Sequence, residues 1–228
     1  RCGPYTYSLT TNVPMITGGI QTLYSDFPLV EAGEFYDFRV AMTSKGLIPR
    51  LKNKVDFLFD HQRPFSSIPS SQAYAFMEWG MNWCVSLHAN EYLKMHAGAV
   101  ARNGTAIIMP GIPGAGKSTL CAALGLTGWR VLSDEHALIV PGTAKVVPLC
   151  RPVSLKNESI EVISSFDNRA IFGPVSKDTH KGTVAHMKAD LAPDSHDTEA
   201  LTARIMLFPK YSTEEPQVLS RRPRTSSF

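Results

Sequence analysis

The sequence is short of several features that would have settled its class at once. It has only four cysteines, Cys2, Cys84, Cys121 and Cys150, dispersed with no C-x-x-C spacing. That argues against a disulfide framework or a zinc module and points to a reduced, cytoplasmic compartment. No apolar run approaches the ~18 residues that a membrane-crossing helix requires. Arg1 stands first in place of a methionine and no signal-peptide pattern follows it, so the chain reads as trimmed. Charge is nearly balanced, 23 Lys and Arg against 20 Asp and Glu, and the net +3 is too small to argue for nucleic acid. Part of that excess is local, with Arg204, Lys210, Arg221, Arg222 and Arg224 set against Glu214 and Glu215; the cluster reads as a solvated tail. Internal repeats and low-complexity tracts are also missing.

What remains has the composition of an ordinary soluble globular protein, 43 % hydrophobic and 19 % charged, and 228 residues make one large domain or two small ones. Residues 1–62 alternate short β-prone runs, EFYDFRVAM and KVDFLFD, with turn residues, and are expected to form a small β-rich unit. RPFSSIPSSQ, at 63–72, has linker composition. From residue 73 to the end we expect an α/β core of mixed β-sheet with helices. It opens with a helix over AYAFMEWGMNWCVSLHANEYL, packing Phe76, Trp79, Trp83 and Leu87 into the interior.

The chemistry is concentrated in GIPGAGKSTL, Gly111 to Leu120, which fits G-x-x-x-x-G-K-[ST]. Glycines there allow backbone N–H groups to converge on phosphate oxygens, and the helix that follows adds a favourable field. Gly111, Gly114, Ala115, Gly116, Lys117, Ser118 and Thr119 are the candidate nucleotide contacts. Lys117, read as an exposed loop lysine that supports no packing, supplies a positive charge, and the Ser118 hydroxyl a Mg²⁺ ligand. The expected ligand is a nucleoside triphosphate.

Two further elements converge on this loop. Asn103-Gly104 between apolar runs predicts a tight hairpin of about His96–Ala101 with Thr105–Pro110. If Arg102 pairs with Thr105, the same register sets His96 opposite Gly111 and returns a histidine to the phosphate site. After the loop, a helix ending at Gly128 and a strand WRVLSDE place Asp134 and Glu135 at a strand's carboxyl end, where ligands gather in open α/β sheets. Hairpin-like runs HALIV and KVVPL follow, then RPVSLKN and KGTVAHM. Adjacent carboxylates could divide two tasks, metal support and acceptance of a proton from an attacking hydroxyl. They could equally be one metal-supporting carboxylate beside an incidental Glu. His61, His88, His136, His180, His186 and His196 read as structural.

These residues together resemble the HPr serine kinase/phosphorylase family, and more closely the shorter HPr-kinase-related kinases. The likeness rests on His96-Ala97, the Asn103-Gly104 turn, Gly111 to Ser118, and Asp134-Glu135. CRPVSLKNESI and HKGTVAHMKAD add weaker likeness downstream. The resemblance implies a core shared with phosphoenolpyruvate carboxykinases and Mg·ATP-dependent transfer of the γ-phosphoryl group to a serine hydroxyl of a peptide or protein substrate. It implies that Lys117 holds the β- and γ-phosphates, Ser118 and Glu135 serve the metal, Asp134 is the base and His96 lies beside the transferred group. Arg151 and Lys181 are then phosphate or substrate contacts. The sequence departs from the family in carrying Asp-Glu where the family proper has Asp-Asp, and it lacks a counterpart of the segment linked to phosphorylase activity. Related proteins act on peptides or proteins encoded nearby, including precursors of ribosomally made natural products.

Other P-loop classes are less well matched. The sequence contains no LSGGQ-type signature of a transport motor and no N-K-x-D for guanine. A small-molecule hydroxyl kinase, a non-kinase nucleotide-binding regulator and a scaffold that binds without turnover stay open as alternatives, as does assembly into a homo-oligomer.

Overall fold

A computed structural model describes residues 1–31, 33–44, 53–189, 191–212 and 218–222. The N-terminal segments β1 (Tyr7–Thr11), α1 (Pro14–Leu23), β2 (Phe38–Ser44) and β3 (Lys54–Phe59) are joined by β4 (Ile68–Pro69), which comes from the linker-like stretch. The four strands form one sheet in the order β1-β2-β3-β4, with β1 and β2 parallel. Next comes α2 (Ala73–His88), where helical spacing predicted it. The buried face is only partly the expected one: Phe76 and Trp83 pack against the core, partly buried. Tyr74, Met77, Glu78, Met81, Cys84 and Val85 point inward, while Trp79 and Leu87 are exposed. The aromatic residues line the rim instead: Phe76 stacks on Trp79 at 5.5 Å, and Trp83 packs edge-on to Phe57 and Phe59. Met42, Val55, Phe57 and the α2 residues share one buried cluster with Leu138, Val147 and Leu149 from farther along the chain.

The centre of the molecule is β5 (Leu93–Arg102), which turns at Asn103-Gly104 into β6 (Thr105–Pro110). Both turn residues have positive φ, 50° and 72°, as a type I′ turn demands. Pairing runs without a bulge from Arg102↔Thr105 to Ala97↔Pro110, so the register read from the sequence holds. The loop after β6 leads into α3 (Lys117–Leu126), which ends at Gly128 in the left-handed conformation (φ 88°). Beyond it, β7 (Arg130–Ser133) and β8 (His136–Ile139) pair one after the other along the second edge of β5. They are effectively one run interrupted by a bend at Asp134-Glu135. β9 (Lys145–Val147) folds back on β8.

β10 (Val153–Lys156) leads through α4 (Glu158–Phe166) to β11 (Ser176–Thr179) and β12 (Gly182–Met187), which form a separate three-stranded sheet, β10-β12-β11. α3 is held between this sheet and the central strands. On one side Ala122 and Leu126 pack with Val153, Leu155, Ile163 and Met187; on the other Cys121 meets Val100 and Met109. A Cβ at Gly98 would lie 2.5 Å from Cys121 Sγ, so glycine at that point lets α3 approach β5.

The last strand, β13 (Leu201–Met206), overturns the expected architecture. It pairs antiparallel with β9 and parallel with β6, closing the ring β5-β6-β13-β9-β8. Strand accounts for 34 % of the described residues and helix for 23 %. The chain is therefore mostly β, with a closed five-stranded barrel, and not an α/β P-loop core of the phosphoenolpyruvate-carboxykinase/HPr-kinase type. Its interior shows why so narrow a ring can close. Ala97, Ala99, Ala101, Ala106 and Ala137 are buried together, with Ile108, Leu132, Ile139 and Val146 filling the remaining space. Small inward side chains suit a small barrel, whose interior is only wide enough for side chains to fill. Among the described residues no helix is long and apolar enough to cross a membrane.

Candidate active site

The loop between β6 and α3 is shaped by Gly114 and Gly116, with φ of 85° and 87°. L-residues pay roughly 1–2 kcal/mol in this region. No atom lies within 4 Å of the Cβ position at Gly114, so the backbone is open to a ligand there. Gly116 is the N-cap of α3, no side chain caps the helix, and its first turn has no acidic residue. The leading N–H groups, at Lys117, Ser118 and Thr119, are therefore suited to an anion. Lys117 differs from its expected exposed state. It is buried, 7 % exposed, and its Nζ donates to the carbonyls of Gly111 (2.7 Å) and Ile112 (3.2 Å), bracing the loop from within.

The acidic pair lies at the bend between β7 and β8 rather than at the free end of a strand. Ser133 Oγ accepts from the N–H groups of Glu135 (3.3 Å) and His136 (3.0 Å), which turns the chain around its own side chain. Ala97 N–H donates to Glu135 O at 3.2 Å, and on the opposite edge of β5 Ala97 faces Pro110. Glu135, Ala97 and Pro110 thus lie abreast on three strands, two strand spacings or roughly 10 Å across. β6 and β7 both run antiparallel to β5, so the loop and the acidic pair leave the barrel in the same direction.

Within this frame the two carboxylates differ sharply. Asp134 is buried, and its Oδ2 accepts the Ser154 N–H at 2.8 Å. Burial raises its carboxyl to about 7; the Glu135 charge adds to the rise and the Ser154 hydrogen bond opposes it. Cys121, one turn into α3, has a thiol raised first by burial and then by Asp134, and lowered by Lys117. Cys121 Sγ also lies 3.7 Å from Ser133 O, the carbonyl just before Asp134, which sets the bend beside the first turns of α3. Glu135 is more open, its side chain 28 % exposed, and faces His96. His96 Nδ1 lies 3.1 Å from Glu135 O and 3.6 Å from Glu135 Oε1. A carbonyl can only accept, so Nδ1 carries the hydrogen and Nε2 is left as the outward nitrogen.

The structure brings together the loop, Lys117, His96, Asp134 and Glu135. Lys181 stays away from them, while Arg151 is near enough for its charge to lower the Asp134 carboxyl, although its guanidinium is committed elsewhere. Arg151 is buried and ion-paired with Glu78, donating also to Glu78 O (3.0 Å) and Asn82 Oδ1 (2.6 Å). Glu78 further accepts from the hydroxyls of Tyr24 (2.9 Å) and Tyr74 (2.8 Å). Lys181 is exposed in the turn between β11 and β12, past the Lys156↔Val184 end of the β10–β12 ladder and so away from Ser154. Glu78 was not singled out from the sequence, although a lone carboxylate flanked by apolar residues on a helix signals a buried pair. The supposedly solvated tail is also partly engaged: the Arg222 guanidinium lies 5.3 Å over the Phe208 ring. Glu214, Glu215 and Arg224 lie outside the described residues.

Among the described residues no group of three or more His, Cys, Asp or Glu side chains gathers as a metal cage. Magnesium held mainly by phosphate oxygens and water needs only one or two protein ligands, which Ser118 and Glu135 could provide. A cavity of about 260 Å³ lies elsewhere, at the hairpin end of the barrel, lined by Arg102, Asn103, Gly104, Gly128 and Arg130 among others. Arg130 is already held there by Asp194 and the Asp197 carbonyl, and this cavity is remote from the acidic pair.

A family model described as SynChlorMet cassette protein ScmC matches residues 72–166. The matched stretch runs from the residue before α2 to the end of α4 and contains His96, the loop and the acidic pair. No curated protein matches the chain.

Proposed function

We propose that the chain is a cytoplasmic Mg·ATP-dependent kinase that transfers the γ-phosphoryl group to a serine hydroxyl of a peptide or protein. The observation that carries this reading is Asp134, a buried carboxyl held at about 7 beside the first turn of the helix that leaves the glycine loop. A base poised near neutrality suits removal of a hydroxyl proton during transfer. A nucleotide-hydrolysing motor or switch could use such a base on its attacking water, and it is the missing LSGGQ-type and N-K-x-D motifs that weigh against those classes. The motif order also supports the reading through its likeness to HPr-kinase-related kinases, although the barrel architecture does not come with that likeness.

In this scheme the α3 N–H groups and the loop backbone bind the phosphates. Lys117 exchanges its two loop carbonyls for phosphate oxygens, Ser118 and Glu135 would hold the metal, and Asp134 receives the serine proton. His96 orients Glu135 through the carbonyl contact and offers Nε2 toward the incoming phosphate. A bound magnesium ion would offset charge on the β- and γ-phosphates. Cys2, Cys84, Cys121 and Cys150 are all buried.

The deciding experiment incubates the protein with γ-labelled ATP and serine-containing peptides and reads phosphoserine by mass spectrometry. Phosphoserine that depends on both Mg²⁺ and Lys117 supports the proposal. ATP binding or hydrolysis with no transfer to any hydroxyl would place the protein among nucleotide-binding regulators instead.

A further inference from the structure

The segment after β13 follows the phosphate loop. Met206 pairs with Ile108, and Leu207 N–H donates to Ile108 O at 2.9 Å, so the chain leaves the barrel alongside β6. Phe208 comes next, covered by the Arg222 guanidinium at 5.3 Å. Three residues later Tyr211 reaches α3: its Cβ lies 3.6 Å from where a Cβ on Gly116 would stand. Tyr211 is nevertheless 71 % exposed. The Tyr211 side chain thus leaves the backbone beside the N-cap of the phosphate-binding helix, with most of its surface open to solvent. Core packing does not account for it. Shortly before it, the chain is tied to the barrel edge through Leu207 and carries the Arg222–Phe208 contact.

We propose that Tyr211 is the stacking platform for the nucleotide base. This rests on the nucleotide reading above and deepens it. The loop and α3 offer N–H groups and a lysine, which serve phosphates, and the exposed Ile112 side chain on the loop is aliphatic and presents no ring face to a flat heterocycle. Tyr211 supplies the complementary surface, since every base has a π-face and stacking on an aromatic side chain is tolerant of base identity. The protein should therefore distinguish ATP from a bare polyphosphate mainly through this residue, and discriminate only weakly between adenine and guanine.

Calorimetric titration of the intact chain with Mg·ATP and, separately, with magnesium tripolyphosphate tests the assignment. Tyr211→Ala should weaken ATP binding about 5- to 100-fold, the range expected for one base–aromatic stack, and leave tripolyphosphate binding unchanged. Tyr211→Phe should retain wild-type affinity for both. Equal weakening of both ligands in Tyr211→Ala would make the residue a support for the loop and overturn the assignment, as would unchanged ATP affinity. A wild-type protein that binds neither ligand would overturn the nucleotide reading itself, a failure distinct from a wild type that binds both and a variant that behaves the same.

Discussion

Replacing Asp134 by Asn should make the protein both more stable and less active, in a manner set by pH. The Asp134 carboxyl stands at about 7 in the fold against 3.8 when free. At 1.36 kcal/mol for each tenfold change, this corresponds to a penalty of about 4 kcal/mol on the ionised form. Below pH 3.8 the group is protonated in both states and costs nothing. As pH rises toward 7 the unfolded chain ionises while the folded one does not, so stability is progressively lost; above 7 the full penalty applies. Asn cannot ionise, and its amide oxygen can still accept the Ser154 N–H. Relative to wild type, Asp134→Asn should therefore gain about 2–3 kcal/mol more at pH 8 than at pH 5. Urea unfolding of both proteins at the two pH values, without divalent metal, measures this directly, and other titrating groups cancel in the comparison. Transfer at saturating Mg·ATP should fall roughly 10²–10⁴-fold in the variant, the span of a general-base contribution. The wild-type rate should rise with pH and level off above about 7. A variant equally destabilised at both pH values would mean the carboxylate is a structural acceptor. An unchanged transfer rate would remove Asp134 from the base role.

Other variants separate the remaining roles. Lys117→Ala should abolish transfer and also cost about 1–3 kcal/mol of stability, because Nζ braces two loop carbonyls; parallel unfolding and transfer assays check both effects, and retained phosphorylation would refute the site. Arg151→Met should cost about 3–5 kcal/mol in urea unfolding by leaving Glu78 buried without its partner. Much of that loss should return in Arg151→Met/Glu78→Gln, and an intact fold with weakened ATP binding would instead make Arg151 a phosphate contact. His96→Ala, at an exposed position, should leave unfolding nearly unchanged and slow transfer about 2- to 10-fold, as loss of one orienting hydrogen bond would. A large change in melting temperature would contradict that role.

Local order determined much of this protein in advance. Asn103-Gly104 fixed the hairpin because few other pairs accept positive φ at two successive positions, and the register that put His96 beside the loop followed from it. The glycine pattern fixed the loop, and Gly128 the end of α3, through backbone freedom that can be read one residue at a time. Helical spacing found α2 and set Phe76 and Trp83 against the core. Which residues are fully covered was decided by the elements packed on the helix, so Tyr74, Met77, Met81, Cys84 and Val85 are buried while Trp79 and Leu87 stay exposed. The barrel depended on β13 reaching β6, as in Thr202↔Thr105, across the whole of the intervening chain. The alternating alanines at 97, 99 and 101 carry a trace of that closure, but small residues at period two suit any close-packed sheet. The state of Asp134 was beyond local reading for the same reason. Its burial and its Ser154 partner come from β10 and α3 packing around the bend, so a carboxylate that the sequence marked as a candidate base acquires a pKa of about 7 only in the tertiary structure.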